Sequence, residues 1–147
     1  VKNVHALQGS ASVILPEDAT LEYAISRLAN EPGCRGIFLV DSDQRFSGMI
    51  SRSAIMKWAE FQLFSKWKSA AAKEIIEMVG NVKAKSLARG DWRSLGVQES
   101  DKLQKAFDQM VLYNEDVLPV LDAEGKIIGD LRLSEMLLKV IEIIREG

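Results

Sequence analysis

The sequence predicts a mixed α/β (α+β) protein made of two similar repeats, each with the order strand, helix, strand, strand, helix. Three observations lead to this fold class. The 147 residues are 47% hydrophobic and 27% charged, which is typical of a soluble globular protein with a sizeable core. Residues 114–137 pass from strand through turn and second strand to a helix start, and residues 36–56 follow the same order.

The first strand of the segment 114–137 contains a proline. The apolar run from Val117 to Leu121 has the length of a strand, and Pro119 stands at its centre. Because proline has no backbone N–H, this strand either lies at a sheet edge or has no neighbouring strand beside Pro119.

A hairpin and a helix start complete this segment. Asp122 and Gly125 are typical of a tight turn, and residues 126–131 are the predicted return strand. Ser134, followed by Glu135 and an apolar run, predicts a helix N-cap.

The same pattern occurs earlier in the chain at a nearly constant offset. Residues 36–56 align with residues 117–137 at an offset of 81, and residues 15–28 align with residues 97–110 at an offset of 82. The recurring identities fall where a turn, a return strand or a helix start restricts the residue type. They include Asp41 and Asp122, Gly48 and Gly129, and Ser53 and Ser134. Two copies therefore fill the chain.

We predict that the first repeat covers residues 1–81 and the second residues 82–147, with different closing helices. Residues 53–79 contain no Gly or Pro and predict one long helix or two abutting helices. Four aromatic residues recur there at every third position: Trp58, Phe61, Phe64 and Trp67. This spacing sweeps round a helix, so the aromatic face is either core or, as we favour, a surface for a partner or a second copy. Residues 134–145 predict a compact apolar helix.

Composition also limits the setting of the protein. The net charge of −2 argues against a nucleic-acid or anionic-membrane binder. No apolar stretch approaches the length of a membrane span, and the single cysteine, Cys34, favours a reducing cytoplasmic compartment. Since the first residue is Val1 rather than Met, the alternative is the cytosolic part of a larger membrane protein.

We expect no enzyme activity. No Ser-His-Asp set, metal cluster or glycine-rich phosphate loop is evident, and His5 is the single histidine. His5 is interpreted as a surface or packed residue and Cys34 as a half-buried structural thiol.

The repeated segments resemble a tandem pair of CBS domains, the cystathionine β-synthase type of repeat. The residues that carry the resemblance are LPEDATLEYAI (15–25), GIFLVDSDQRFSGMIS (36–51) and SRSAI (51–55) in the first copy, with VQESDKLQKAF (97–107), DVLPVLDAEGKIIGDL (116–131) and LSEML (133–137) in the second. The resemblance implies a pseudo-two-fold pair whose sheets pack together and leave two clefts, and a homodimer formed through helices. Such clefts often bind adenosyl ligands such as AMP, ADP, ATP or S-adenosylmethionine.

The resemblance also implies ligand-binding positions. Nucleotide-binding members carry a Gly-h-h-Thr/Ser-x-x-Asp pattern (h, apolar) whose hydroxyl and carboxylate hold phosphate and ribose. In the first copy Ser51 keeps the hydroxyl, but Ala54 stands in place of the acid. In the second copy Arg132 takes the hydroxyl position and Glu135 keeps an acid. The second cleft is therefore the better candidate for binding.

Two of these residues have an alternative interpretation. Arg132 is either a phosphate clamp or a strand-end arginine paired with an acid such as Asp130, and Glu135 is either a ribose ligand or a first-turn residue that complements the helix dipole. The remaining candidate ligand-binding residues are Arg52, Ile37, Val117, Leu118 and Pro119.

The expected function is that of a regulatory module that senses an adenosyl nucleotide and signals to an attached domain or partner, with no certain cofactor. One alternative is a ligand-free dimerisation or scaffold module. Another is the cytosolic regulatory part of an ion channel or transporter.

Overall fold

The computed structural model describes residues 12–31, 33–34, 36–64, 72–91 and 93–147. Within these ranges, six strands form two three-stranded sheets, and helices follow or precede the strands of each sheet.

The predicted order of elements occurs in both repeats. The first contains β1 (Ser12–Pro16), α1 (Leu21–Asn30), β2 (Gly36–Val40), β3 (Phe46–Ser51) and α2 (Arg52–Trp58), which continues into a π-helical turn (Ala59–Phe64). Next come α3 (Ala72–Asn81) and a short 3₁₀ helix (Ala84–Leu87). The second contains β4 (Val97–Gln98), α4 (Leu103–Tyr113), β5 (Val117–Leu121), β6 (Ile127–Arg132) and α5 (Leu133–Glu146). The mixed α/β fold class is therefore confirmed.

The two sheets have the same topology. Their strand orders are β1-β2-β3 and β4-β5-β6, with the first pair parallel and the second antiparallel in each sheet. The antiparallel register shifts between Leu39 and Val40 in the first sheet and between Val120 and Leu121 in the second. The sequence offset of 81 is thus also the offset between equivalent backbone irregularities.

Both hairpin turns depend on the recurring aspartate. The Oδ1 atoms of Asp41 and Asp122 each accept backbone N–H bonds from residues two and four positions further on, at 2.9–3.0 Å. The left-handed turn position is Gln44 (φ 65°) in the first repeat and Gly125 (φ 85°) in the second. The turn-forming role predicted for both aspartates is confirmed.

The register explains why a proline is tolerated in the middle of a sheet. β5 lies between β4 and β6, but β4 has two residues and pairs with Val120 and Leu121. Pro119 therefore lies beyond the end of β4, where a backbone N–H would have no strand partner on that side. In the first repeat the equivalent residue is Phe38, beside the five-residue β1.

Alternate residues of β2 and β3 face two different cores. Ile37, Leu39 and Ile50 pack with Ala24 of α1 in the core of the first repeat. Phe38, Phe46 and Met49 point the other way and join the core of the second repeat. Phe38 and Phe46 meet edge to face with ring centroids 5.9 Å apart. The period-two alternation of a strand thus joins the two repeats.

Two predicted helix starts are wrong. The N-cap of α2 is Ser51, whose Oγ accepts the N–H of Ala54 at 3.2 Å, and the N-cap of α5 is Arg132, without a side-chain cap. The predicted caps Ser53 and Ser134 lie inside the first turns. Because an N-cap residue has extended backbone geometry, the last residue of each return strand already fills this position.

The predicted closing helix 53–79 is described in two parts. α2 and its π-helical turn end at Phe64, α3 begins at Ala72, and residues 65–71, with Trp67, lie outside the described residues. Trp58 is half-buried and Phe61 is 65% exposed. Within the described part of the chain, no helix is both long and apolar enough to span a membrane.

Candidate ligand-binding cleft between the repeats

A connector, residues 82–91, runs from α3 to the second repeat along the open edge of the first sheet. Arg89 in this connector exchanges two backbone hydrogen bonds with Met49 of β3, at 2.9 and 3.0 Å. Beside this pair, a Cβ added at Gly48 would lie 2.8 Å from the Cβ of Ala88. The glycine of the return strand therefore permits the close approach of the connector.

The side chain of Lys85 also holds the connector to the first repeat. Its Nζ donates to the backbone carbonyl of Ser47 at 2.6 Å and to the Glu17 carboxylate at 3.2 Å. The connector is thus fixed by backbone and side-chain bonds to one repeat while it leads into the other.

A cavity of about 510 Å³, here called the main cavity, opens between the repeats. The first repeat contributes Ser51, Arg52 and Ser53, and the second contributes Phe107, Met110, Val111, Asn114, Glu115, Asp116 and Leu133. Its volume lies within the range typical of small-molecule sites. A ligand in it would touch both repeats.

A smaller side cavity of about 170 Å³ shares Ser51, Ser53 and Asn114 with the main cavity. Its other lining residues are Met49, Ala54, Lys57, Leu87 and Arg89. The side cavity therefore has two cationic side chains on its wall, those of Lys57 and Arg89.

Ser51 and Arg52, both predicted site residues, lie on the wall of the main cavity. The Ser51 hydroxyl caps α2 and lies 2.9 Å from the hydroxyl of Ser53. Ala54 lines the side cavity and offers no carboxylate to a ligand. The first cleft thus keeps the hydroxyl of the expected pattern but not its acid.

A buried carboxylate on the opposite wall was not predicted from the sequence. Glu115 is 8% exposed, and its Oε1 accepts a hydrogen bond from the Arg89 guanidinium, which also donates to the carbonyl of Tyr113. The same guanidinium lies 5.9 Å from the centroid of the Tyr113 ring. The one sequence signal was an acid two positions before the buried strand β5.

Arg132 and Glu135 are brought together at the start of α5. The Nε of Arg132 donates to Glu135 Oε1 at 2.5 Å, and both side chains are largely buried. Arg132 is therefore paired with an acid, as one interpretation predicted, and Glu135 lies in the first turn of the helix. At the repeat offset, the counterpart of the connector is residues 1–10, which lie outside the described residues.

The four predicted strand residues line neither the main cavity nor the side cavity. Ile37, Val117 and Leu118 are fully buried in the two cores, and Pro119 is also buried. A contact between these residues and a ligand would therefore use backbone groups.

The two potentially reactive residues have no described place in the cleft. Cys34 is buried, not half-buried as predicted, and its thiol donates to the carbonyl of Gly36 at 2.9 Å, which agrees with a structural role. His5 lies outside the described residues. Among the residues that are described, no group of three or more His, Cys, Asp or Glu side chains could hold a metal ion.

Comparison with known proteins agrees with this architecture. Residues 7–60 match the family model of the CBS domain. A CBS domain-containing protein from Thermotoga maritima is similar in structure, with a TM-score of 0.75 and 26% identity over 97% of this chain and 94% of that chain. Residues 7–60 therefore match a CBS domain, and the whole chain has the fold of CBS domain-containing proteins. Among curated proteins, no sequence matches it.

Two structures with bound nucleotides share this fold. A CBS domain protein from Pyrobaculum aerophilum, complexed with AMP, has a TM-score of 0.71 and 19% identity over 97% of this chain and 99% of that chain. The cytosolic domain of the Mg²⁺ channel MgtE, in complex with ATP, has a TM-score of 0.63 and 19% identity over 89% of this chain and 45% of that chain.

Proposed function

We propose that this CBS pair is a regulatory module that binds an adenine nucleotide or a related adenosyl ligand between its repeats. The observation that carries the proposal is the main cavity, whose walls come from both repeats. Ser51 lines this cavity and Glu135 does not, so the proposed site is the cleft of the first pattern and not the second cleft that the sequence favoured. The proposal is supported by the two neighbours of the same fold that hold AMP and ATP. Its role is binding rather than catalysis.

The lining of the two cavities suits the parts of such a ligand. Phe107, Met110 and Leu133 give the main cavity an apolar side that fits a purine base. Lys57 and Arg52 bring positive charge from the first repeat, which fits phosphate. The base would thus lie toward the second repeat and the phosphate toward the first.

A ligand in this position would act on the arrangement of the repeats. If it binds one arrangement more tightly than another, it shifts the population toward that arrangement, and an attached domain or partner reads the change. We propose a cytoplasmic setting, either free or as the cytosolic part of a channel or transporter. The likeness to part of the MgtE channel supports the latter setting.

Isothermal calorimetry against AMP, ADP, ATP and S-adenosylmethionine tests the proposal. We expect micromolar binding of at least one, and at least tenfold weaker binding by Val111→Trp, because the indole would fill part of the main cavity. The matched control is Leu112→Trp, since Leu112 is the next residue of α4 and is 75% exposed. A folded wild-type chain that binds none of the four ligands would favour the scaffold alternative.

A second proposal, self-association, is supported by the exposed apolar face of α5. Six apolar side chains on this helix are between 38% and 70% exposed: Leu137, Leu138, Val140, Ile141, Ile143 and Ile144. A patch of this kind on one helix is typical of an interaction surface. We propose that a second copy of the chain covers this face, together with the aromatic helix that carries Phe61.

Light scattering tests the proposed homodimer. We expect Ile144→Glu to give a folded monomer, because a charge at the contact would be buried without a partner. Arg145→Glu places a carboxylate at the next position, where the native side chain is already charged, and should leave the dimer intact. A dimer that survives Ile144→Glu would exclude this face of α5 as the contact.

A further inference from the structure

The main cavity carries a carboxylate in a place that the sequence pattern did not indicate. Glu115 lines this cavity from the second repeat, while Ser51 lines it from the first. The first-repeat position expected to hold an acid is Ala54. Glu115 therefore supplies a buried carboxylate to the cleft, whereas Ala54 supplies none.

The backbone fixes Glu115 on both sides. Asn114 ends α4 in the left-handed conformation, with φ at 54°, and the N–H of Glu115 then donates to the carbonyl of Met110 at 3.0 Å. The carbonyl of the next residue, Asp116, accepts the N–H of Leu133 at 2.8 Å. Glu115 is thus held on the cavity wall by bonds to two helices and not by its side chain alone.

The side chain of Glu115 is oriented by the connector. Arg89 donates to Glu115 Oε1, and Arg89 is itself bonded through its backbone to Met49 of the first sheet. The opposite charge offsets the cost of burying the carboxylate. A carboxylate offers about four acceptor positions, so one arginine leaves acceptor capacity for hydroxyl donors.

The charge of Glu115 determines which part of a ligand it can accept. A carboxylate repels phosphate and accepts bonds from neutral donors such as a vicinal diol. We propose that Glu115 binds the ribose hydroxyls of the adenosyl ligand from the second-repeat wall, in place of the acid that Ala54 lacks. This assignment rests on the proposed function and adds to it the residue that selects for ribose.

The test compares AMP with 2′-deoxy-AMP by calorimetry in the same protein. The wild-type chain should bind AMP about tenfold more tightly than 2′-deoxy-AMP, the usual effect of losing one hydrogen bond to a charged group. In Glu115→Gln this ratio should fall to about two or less. The control Glu124→Gln, in the exposed β5–β6 turn, should keep the wild-type ratio.

The ratio of the two affinities separates ribose recognition from a structural role, because a merely structural change weakens the binding of AMP and of 2′-deoxy-AMP equally. If Glu115→Gln does not fold, Glu115→Asp keeps the charge beside Arg89 while it shortens the reach, and it should also lower the ratio. A variant that binds AMP and keeps the wild-type ratio overturns the assignment alone. A folded wild-type chain that binds none of AMP, ADP, ATP and S-adenosylmethionine refutes the proposed function and this assignment together.

Discussion

The close approach of the connector to Gly48 gives a direct test of how the connector is held. In Gly48→Ala, the added Cβ would lie 2.8 Å from the Cβ of Ala88, whereas carbon atoms in good contact are about 3.5–4.0 Å apart. The Ala88 Cβ is attached directly to the connector backbone and has no torsion that could move it away. Either β3 or the connector must therefore shift.

The expected cost follows from what such a shift disturbs. Next to Gly48, Met49 and Arg89 exchange hydrogen bonds of 2.9 and 3.0 Å, and these would be stretched. Overpacking of this kind typically costs about 1–3 kcal/mol. Because Arg89 orients Glu115, we also expect nucleotide binding to weaken in the same variant.

Urea unfolding followed by circular dichroism measures the stability change. The matched control is Gly33→Ala, because a Cβ at Gly33 would meet no atom within 4 Å, and its free energy of unfolding should stay within about 0.5 kcal/mol of wild type. If Gly48→Ala and Gly33→Ala were equally stable, the close approach of the connector would not be a constraint on this fold.

Three further predictions concern stability. Phe38→Ala should lower the free energy of unfolding by about 3–5 kcal/mol, since Phe38 is buried between the repeats. The control Leu112→Ala, at an exposed site, should change this free energy by less than about 0.5 kcal/mol, and an equal loss of stability in the two variants would contradict the shared core. Ser51→Ala should lower the free energy of unfolding by about 1 kcal/mol through loss of the cap on α2, whereas Ser134→Ala should lower it little. If thermal unfolding showed the larger loss in Ser134→Ala, the N-cap prediction made from the sequence would be correct after all. Burial raises the pKa of Asp91, but hydrogen bonds from the following turn outweigh it and hold this pKa below its usual value of 3.8. The stabilisation from Asp91 is therefore present above this value and is lost as the pH falls through the lower folded pKa. We expect the difference in unfolding free energy between wild type and Asp91→Asn to be smaller at about pH 2 than at about pH 6, and an equal difference at the two pH values would contradict this account.

The sequence by itself determined the repeat and the order of elements. These follow from short-range chemistry, because the bonds that make each hairpin turn join Asp41 or Asp122 to residues at most four positions away. Local preferences of this kind are visible in one sequence. The predicted repeat boundaries and the binding role of Arg132 and Glu135 stay predictions.

Only the tertiary structure decided which residues form the wall of the cleft. Glu115 meets Arg89 from 26 positions away, and the face of β2 that carries Phe38 joins the core of the other repeat. Neither contact follows from local propensity, because an acid before a strand and an arginine in a connector are ordinary surface residues until the fold brings them together and buries Glu115. The helix starts were decided in the same way, since the strand that pairs through Ser51 supplies the extended residue that an N-cap requires.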